Sequence, residues 1–199
     1  MDNNELGNNF ESLDIDPIFH RFETNSPFTH CSKCYLDLIH SFNNYVIHKE
    51  WGTRDLQSEF ALCRSCVEDL KSATSVESRN RVNEFIKASG GLGRHSDIIQ
   101  NASEEMQQRE NVEINHCVIC TDYIRRPGAA HSLSCMVFQS KVLSLNIATA
   151  ICGNCNDKLV ELLSEETRDS WDGFYQSIIH SPPVEMVDLP RPTRPALIF

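Results

Sequence analysis

Long apolar runs are missing from these 199 residues. None approaches the length needed to span a membrane, so no integral membrane segment is expected. The opening MDNNELGNNF has neither the basic start nor the apolar stretch of a secretory signal, which points to a cytoplasmic protein. Positive charge is scarce: 18 Lys and Arg stand against 28 Asp and Glu, a formal net charge of −10. Such a balance opposes unspecific attraction to nucleic acid or to anionic membranes, both of which reward clustered Lys and Arg. The deficit is uneven, with six acids and one Arg in residues 1–27 but eight of each sign in residues 28–88. Also missing are a Ser/His/Asp set, a phosphate-binding loop and a dinucleotide fingerprint, so no familiar catalytic chemistry is signalled.

Cysteine, by contrast, is plentiful. Eight of the nine fall into four Cys-x-x-Cys pairs: Cys31/Cys34, Cys63/Cys66, Cys117/Cys120 and Cys152/Cys155. Random placement would yield on the order of a third of one such pair, so the pattern has a chemical cause. A reducing cytosol disfavours a disulfide framework, and a redox dithiol usually occurs once, at a helix start in a thioredoxin-like setting. Zinc in structural sites is tetrahedral, and one Cys-x-x-Cys turn brings two sulfurs to the same ion. Two structural Zn2+ ions are therefore expected, each held by four thiolates: Cys31, Cys34, Cys63 and Cys66 for one, and Cys117, Cys120, Cys152 and Cys155 for the other.

The pairs come in matched sets, with 28 residues between Cys34 and Cys63 and 31 between Cys120 and Cys152. His30 and His116 each precede the first Cys of their half. After the second pair the halves align without a gap, Leu70 with Leu159, Ser75 with Ser164, Glu77 with Glu166, Arg79 with Arg168 and Phe85 with Phe174. Agreement at positions that bind nothing marks a duplication. A self-sufficient repeat needs its own four ligands, so sequential ligation is expected over the interleaved pattern of a RING-like scaffold, whose middle Cys/His pair neither copy shows.

Within each half, β-type runs follow the first pair, Tyr45 to His48 and Met136 to Gln139, and apolar stretches lead into the second, Phe60 to Leu62 and Ala148 to Ile151. Helical periodicity then sets Val67, Leu70 and Ala73 on one face, and Leu159, Leu162 and Leu163 on the corresponding one. Ser75 and Ser164 are expected to cap a further helix, running through Val82, Phe85 and Ile86 or through Trp171, Phe174 and Tyr175. Knuckle, β-hairpin, and a second knuckle opening a helix resemble the treble-clef zinc fold group, over residues 28–87 and 114–178. The fold class that this resemblance implies is α+β, as two tandem treble-clef-like modules joined by a helical linker. The expected divisions are an acidic segment 1–27 anchored around Ile18, Phe19 and Phe22, a first module 28–87, a linker 88–113, a second module 114–180 and a Pro-rich tail 181–199. The linker holds glycines and an amphipathic helix carrying Ile98, Ile99, Ala102 and Met106. The tail holds Pro182, Pro183, Pro190, Pro192 and Pro195 before its apolar end Ala196-Leu197-Ile198-Phe199.

Other residues carry weaker signals. His30 and His116 read as turn histidines and not as ligands. Cys135, without a cysteine three residues away, reads as a small buried apolar residue. The second copy resembles the HNH nucleases, which build on a treble clef, through His131, Asn146, Asn156 and Lys158, but Ala130 stands where an acid is usual. Those three candidates, His131, Asn146 and Asn156, more naturally serve as turn and loop residues. Arg79, Arg81, Lys87 and Arg94 form the densest basic cluster, which at helical spacing suits a solvated face. Closed four-thiolate sites leave no open coordination position, so the expected task is binding a protein partner through the modules, the linker helix or the tail; nucleic-acid binding, a degenerate HNH-like nuclease in the second module and a RING-like ligase scaffold stand as the alternatives.

Overall fold

The two turns that open the halves are built from the same hydrogen bonds. The Cys31 N–H donates to the Leu36 carbonyl at 2.8 Å, and that of Cys117 to Asp122 at 2.9 Å. The Tyr35 N–H donates to Cys31 at 3.0 Å and that of Thr121 to Cys117 at 2.8 Å. Ser32 and Val118 reach across to the Ala61 and Ala150 carbonyls, at 2.7 and 2.8 Å. Tyr35 and Thr121 both adopt positive φ, 61° and 65°, although neither is glycine. A side chain in that region costs roughly 1 to 2 kcal/mol, so the surrounding bonds must hold the backbone there.

This is a computed structural model, which describes residues 13–15, 17–91, 94, 112–138, 141–142 and 148–179. The expected linker helix with Ile98, Ile99, Ala102 and Met106, Gln139, Asn146 and the Pro-rich tail lie outside the described residues.

The first half contributes β1 (Leu13–Asp14), β2 (Tyr45–Trp51), β3 (Leu56–Cys63), α1 (Arg64–Ser72) and α2 (Val76–Ser89). The second contributes α3 (Val112–Asn115), β4 (His131–Phe138), β5 (Lys141–Val142), β6 (Thr149–Cys152), α4 (Gly153–Glu161) and α5 (Glu165–Ile179). The class is α+β, with one antiparallel sheet shared by both halves. β3 pairs with β2, β2 with β4, and the far edge of β4 is divided between β6 and β5, with β1 outside β5. β4 begins at His131, five residues before the apolar run Met136-Val137-Phe138. Paired on both edges, it keeps the polar Ser132 and Ser134 within the ladder.

The central pairing is symmetric. Tyr45 lies opposite Val137, Trp51 opposite His131, and at the midpoint His48 lies opposite Ser134. His48 and Ser134 are 86 residues apart, the separation that also relates Cys31 to Cys117, so they are the same position of the repeat. An approximate two-fold axis thus passes between them.

The second helices continue this relationship. Ser75 caps α2 by accepting from the Ser78 N–H at 3.1 Å, and Ser164 accepts from the Thr167 N–H at 3.3 Å. Each cap also reaches the other helix. The Ser75 N–H donates to the Thr167 hydroxyl at 3.0 Å, and the Ser164 N–H to the Ser78 hydroxyl at 2.8 Å. In an ordinary capping box the third helical residue satisfies its own cap, whereas here it satisfies the cap of the opposite copy.

Beyond the caps each helix lies across the other half. On α5 the Tyr175 ring packs at 5.7 Å from Phe60 of β3, the Trp171 indole N–H donates to Thr74 at 3.0 Å, and Lys33 of the first knuckle sits 4.1 Å above the Phe174 ring. At the end of α2, Gly90 closes the helix at φ 62°. Gly91 presses on the second knuckle, where a Cβ would fall 1.9 Å from the Ile119 carbonyl oxygen. The buried residues accordingly form one cluster running through both halves. The division at residues 87 and 113 marks the repeat in the sequence, while the packing runs across it.

Two local features depart from the periodicity. Ala73 leaves the buried stripe of Val67 and Leu70, because the helix stops at Ser72 and Ala73 becomes its exposed C-cap. Phe19 is buried as expected, but Phe22 stands 68% exposed. It is the Phe22 backbone that anchors the segment, its N–H donating to the Glu59 carboxylate at 3.0 Å. Glu59 in turn pairs at 3.1 Å with the buried Lys49, which donates to the His20 carbonyl. The chain around residues 20–22 thus satisfies both members of a charge pair that would be costly to bury alone.

Candidate metal centres

Each centre is assembled from one turn and one helix start. Cys31 and Cys34 lie on the first knuckle; Cys63 is the N-cap of α1 and Cys66 its third residue. In the second half Cys152 caps α4 and Cys155 follows at the same place. Neither cap residue closes its helix through a side-chain hydrogen bond, so the thiol groups remain free for another role. The free N–H groups and positive end of each helix face the sulfurs and favour thiolate over thiol.

The eight sulfurs gather into two groups in sequential order, Cys31, Cys34, Cys63 and Cys66 in one and Cys117, Cys120, Cys152 and Cys155 in the other. Within each group all four Sγ atoms lie within 4.8 Å of one another. Cys31 and Cys66 stand 3.8 Å apart, Cys34 and Cys63 3.6 Å, and Cys120 and Cys152 3.7 Å. These are far too long for disulfides, whose bond is about 2.05 Å. A tetrahedral ion with sulfur arms of about 2.3 Å has edges of about 3.8 Å, which the observed distances match.

The electrostatics agree with a cation. At Cys31, burial pushes the thiol up, but N–H groups of Cys63, Cys34 and Lys33 aimed at the sulfur outweigh it and hold the group below its ordinary value. At Cys117 a hydrogen bond from Cys152 and the N–H groups of Cys120, Cys152 and Ile119 overcome burial and bring it down to about 5. The neighbours go the other way. Burial raises Cys66, Cys63 and Cys120, and the charge on Cys31 or Cys117 adds to it; Cys155 is pushed up to about 12 by the same two causes. Cys152 is raised first by its hydrogen bond to Cys117 and then by burial. Once one sulfur in a group is negative, the others resist ionising, and four thiolates at these distances require a compensating positive ion.

The remaining candidates sit apart from the sulfur groups. His30 and His116 form the small β-bridges that close the knuckles, to Asp37 and Tyr123. His30 meets the Thr29 hydroxyl at 2.9 Å, and His116 stacks edge-on to Tyr123. Cys135 is buried at the centre of β4, opposite Ile47. His131 donates from Nδ1 to the Ala129 carbonyl at 2.8 Å and stacks on Trp51 at 5.1 Å. Its Nε2 is buried without a partner, and burial lowers its basicity. Among the described residues no His, Asp or Glu cluster with metal-holding geometry forms around it, and Asn156 is buried on α4. In the basic cluster, Arg79 bonds the Lys71 carbonyl and Arg81 pairs with Glu77, so two of its charges are engaged within the chain.

Sequence reasoning found every cysteine of the two groups but not His48. It is fully buried, held to Ser134 at 2.8 Å and stacked on Phe60 at 5.0 Å, with Nε2 unpartnered. No spacing rule marks a residue whose importance comes from lying on an axis. Among the described residues no helix is long and apolar enough to cross a membrane. Compared with protein-family models, curated proteins and solved structures, the chain matches none.

Proposed function

We propose that this is a structural-zinc protein whose two treble-clef-like halves form one scaffold for binding another protein. The carrying observation is the gathering of eight sulfurs into two sets at tetrahedral-edge distances. Each set supplies four ligands and closes the coordination shell, so the ion's contribution is to hold a knuckle to a helix start, not to activate water. Elemental analysis of the reduced protein should give two zinc equivalents, and X-ray absorption should show four sulfur neighbours per ion. Substantially less metal, or nitrogen and oxygen in the shell, would count against the ligand assignment.

Binding of protein is supported by what stands on the surface. Among the described residues the large exposed apolar side chains are Phe22, Tyr35, Leu36, Phe42, Val76 and Tyr123, and four of the six sit on or just beyond the knuckles. Phe42 is 82% exposed. The acidic balance and the internally paired arginines of α2 do not favour nucleic acid. A photo-reactive side chain at position 42 should cross-link a protein in the native host, and one at position 79 should not. Cross-links to nucleic acid from either position would replace this reading with the nucleic-acid one.

A further inference from the structure

The two sulfur groups share their hydrogen bonds and spacing but not their exposure. In the second, none of the four cysteines is exposed: Cys117 and Cys155 are buried, and Cys120 and Cys152 are half-buried. Gly91 lies directly against the Val118 and Ile119 carbonyls of that knuckle. In the first, Cys31, Cys63 and Cys66 are buried and Cys34 is exposed, beside the exposed Tyr35 and Leu36. The Cys63 sulfur lies 3.6 Å from that of Cys34. An oxidant of small size therefore has a more open approach to Cys34 of the first group than to any cysteine of the second.

We infer that Cys34 is an oxidation site through which peroxides open the first metal centre while sparing the second. This rests on the two-zinc reading above. The Cys34 thiolate attacks one peroxide oxygen, the O–O bond breaks, and hydroxide leaves, giving a sulfenic acid. The Cys63 thiolate then attacks the Cys34 sulfur, forming the disulfide and expelling a second hydroxide. Two electrons pass from the two sulfurs to the peroxide, which is the whole of the redox balance. Two thiolates, Cys31 and Cys66, then remain, too few to retain the ion. The metal link between Cys31 and Cys66 is lost, and a disulfide of about 2.05 Å replaces a Cys34–Cys63 separation of 3.6 Å, so the knuckle that carries Lys33 over Phe174 is repositioned against α1.

The test uses the full chain after its metal content has been measured. One molar equivalent of hydrogen peroxide is added, free thiols are alkylated, and disulfides are mapped by peptide mass spectrometry while released zinc is followed with a chromogenic chelator. A Cys34–Cys63 disulfide should form about tenfold more often than any disulfide among Cys117, Cys120, Cys152 and Cys155, in step with zinc release. Equal oxidation of the two centres, earlier oxidation of the second, or a different partner for Cys34 overturns the inference. Fewer than two zinc equivalents before peroxide is added overturns the metal reading itself and this inference with it.

Discussion

The Ser164 backbone N–H donates to the hydroxyl of Ser78 at 2.8 Å, although Ser78 belongs to the helix of the other repeat. The reciprocal bond joins Ser75 to Thr167, and the four hydroxyls lie 2.9 to 3.1 Å from their neighbours within the cluster. Replacing Ser78 with Ala removes the acceptor for a cap N–H of the opposite helix. The loss should be about 1 to 2 kcal/mol by urea unfolding. Ser78→Ala with Thr167→Ala should cost less than the sum of the two, because both belong to one network. Additive effects would show that the caps act separately.

Metal removal should unfold the whole described region in one transition, since a single core runs through both halves. Zinc binding in small fingers is worth roughly 10 to 16 kcal/mol, at least as much as a typical domain's entire stability. Cys66→Ala should leave one zinc equivalent and lower the melting temperature of both halves together. Circular dichroism with metal analysis checks this, and two separate transitions in the intact protein would contradict it.

His48 should give the fold an acid-sensitive element apart from the thiolates. Burial lowers its pKa from 6.5 to about 3. Above pH 6.5 the ring is neutral in folded and unfolded chains and adds no pH dependence. Below that, the unfolded chain takes up a proton which the folded chain refuses until about pH 3, so stability falls across this window. The slope contributed approaches about 1.4 kcal/mol per pH unit. In urea unfolding between pH 7 and 5, His48→Phe should show a shallower decline than the parent protein. Identical slopes would mean that the ring titrates normally.

Gly91 should tolerate no side chain. Its space is closed by the Ile119 and Val118 carbonyls, which are backbone and cannot rotate away. Gly91→Ala should cost about 1 to 3 kcal/mol, and Gly173→Ala on α5, where a Cβ meets nothing within 4 Å, should be neutral or stabilising. Denaturation midpoints of the two variants provide the comparison.

What could be read from the chain is what local chemistry dictates. Cys-x-x-Cys fixes a turn, Ser at positions 75 and 164 starts a helix, and a constant separation of equivalent residues marks a repeat. The joining of the halves could not be read in this way. Lys49 and Glu50 look like the polar exit of a strand, yet both are buried because β2 is covered on its two faces. Ser132 and Ser134 look like loop residues, yet two neighbouring strands hold them in β4. Phe22 looks like an anchor, while the real tie is its N–H to Glu59. In each case the deciding partner is distant in sequence, and a residue's own character does not announce such a partner.

The pair on the axis shows what a single chain can do that two identical subunits cannot. In a homodimer with this arrangement, the side chain at the centre would face its own twin: imidazole against imidazole or hydroxyl against hydroxyl. Covalent fusion lifts that restriction. One copy keeps the ring of His48, the other offers the smaller Ser134 to receive it, and unlike groups form a contact that enforced identity would forbid.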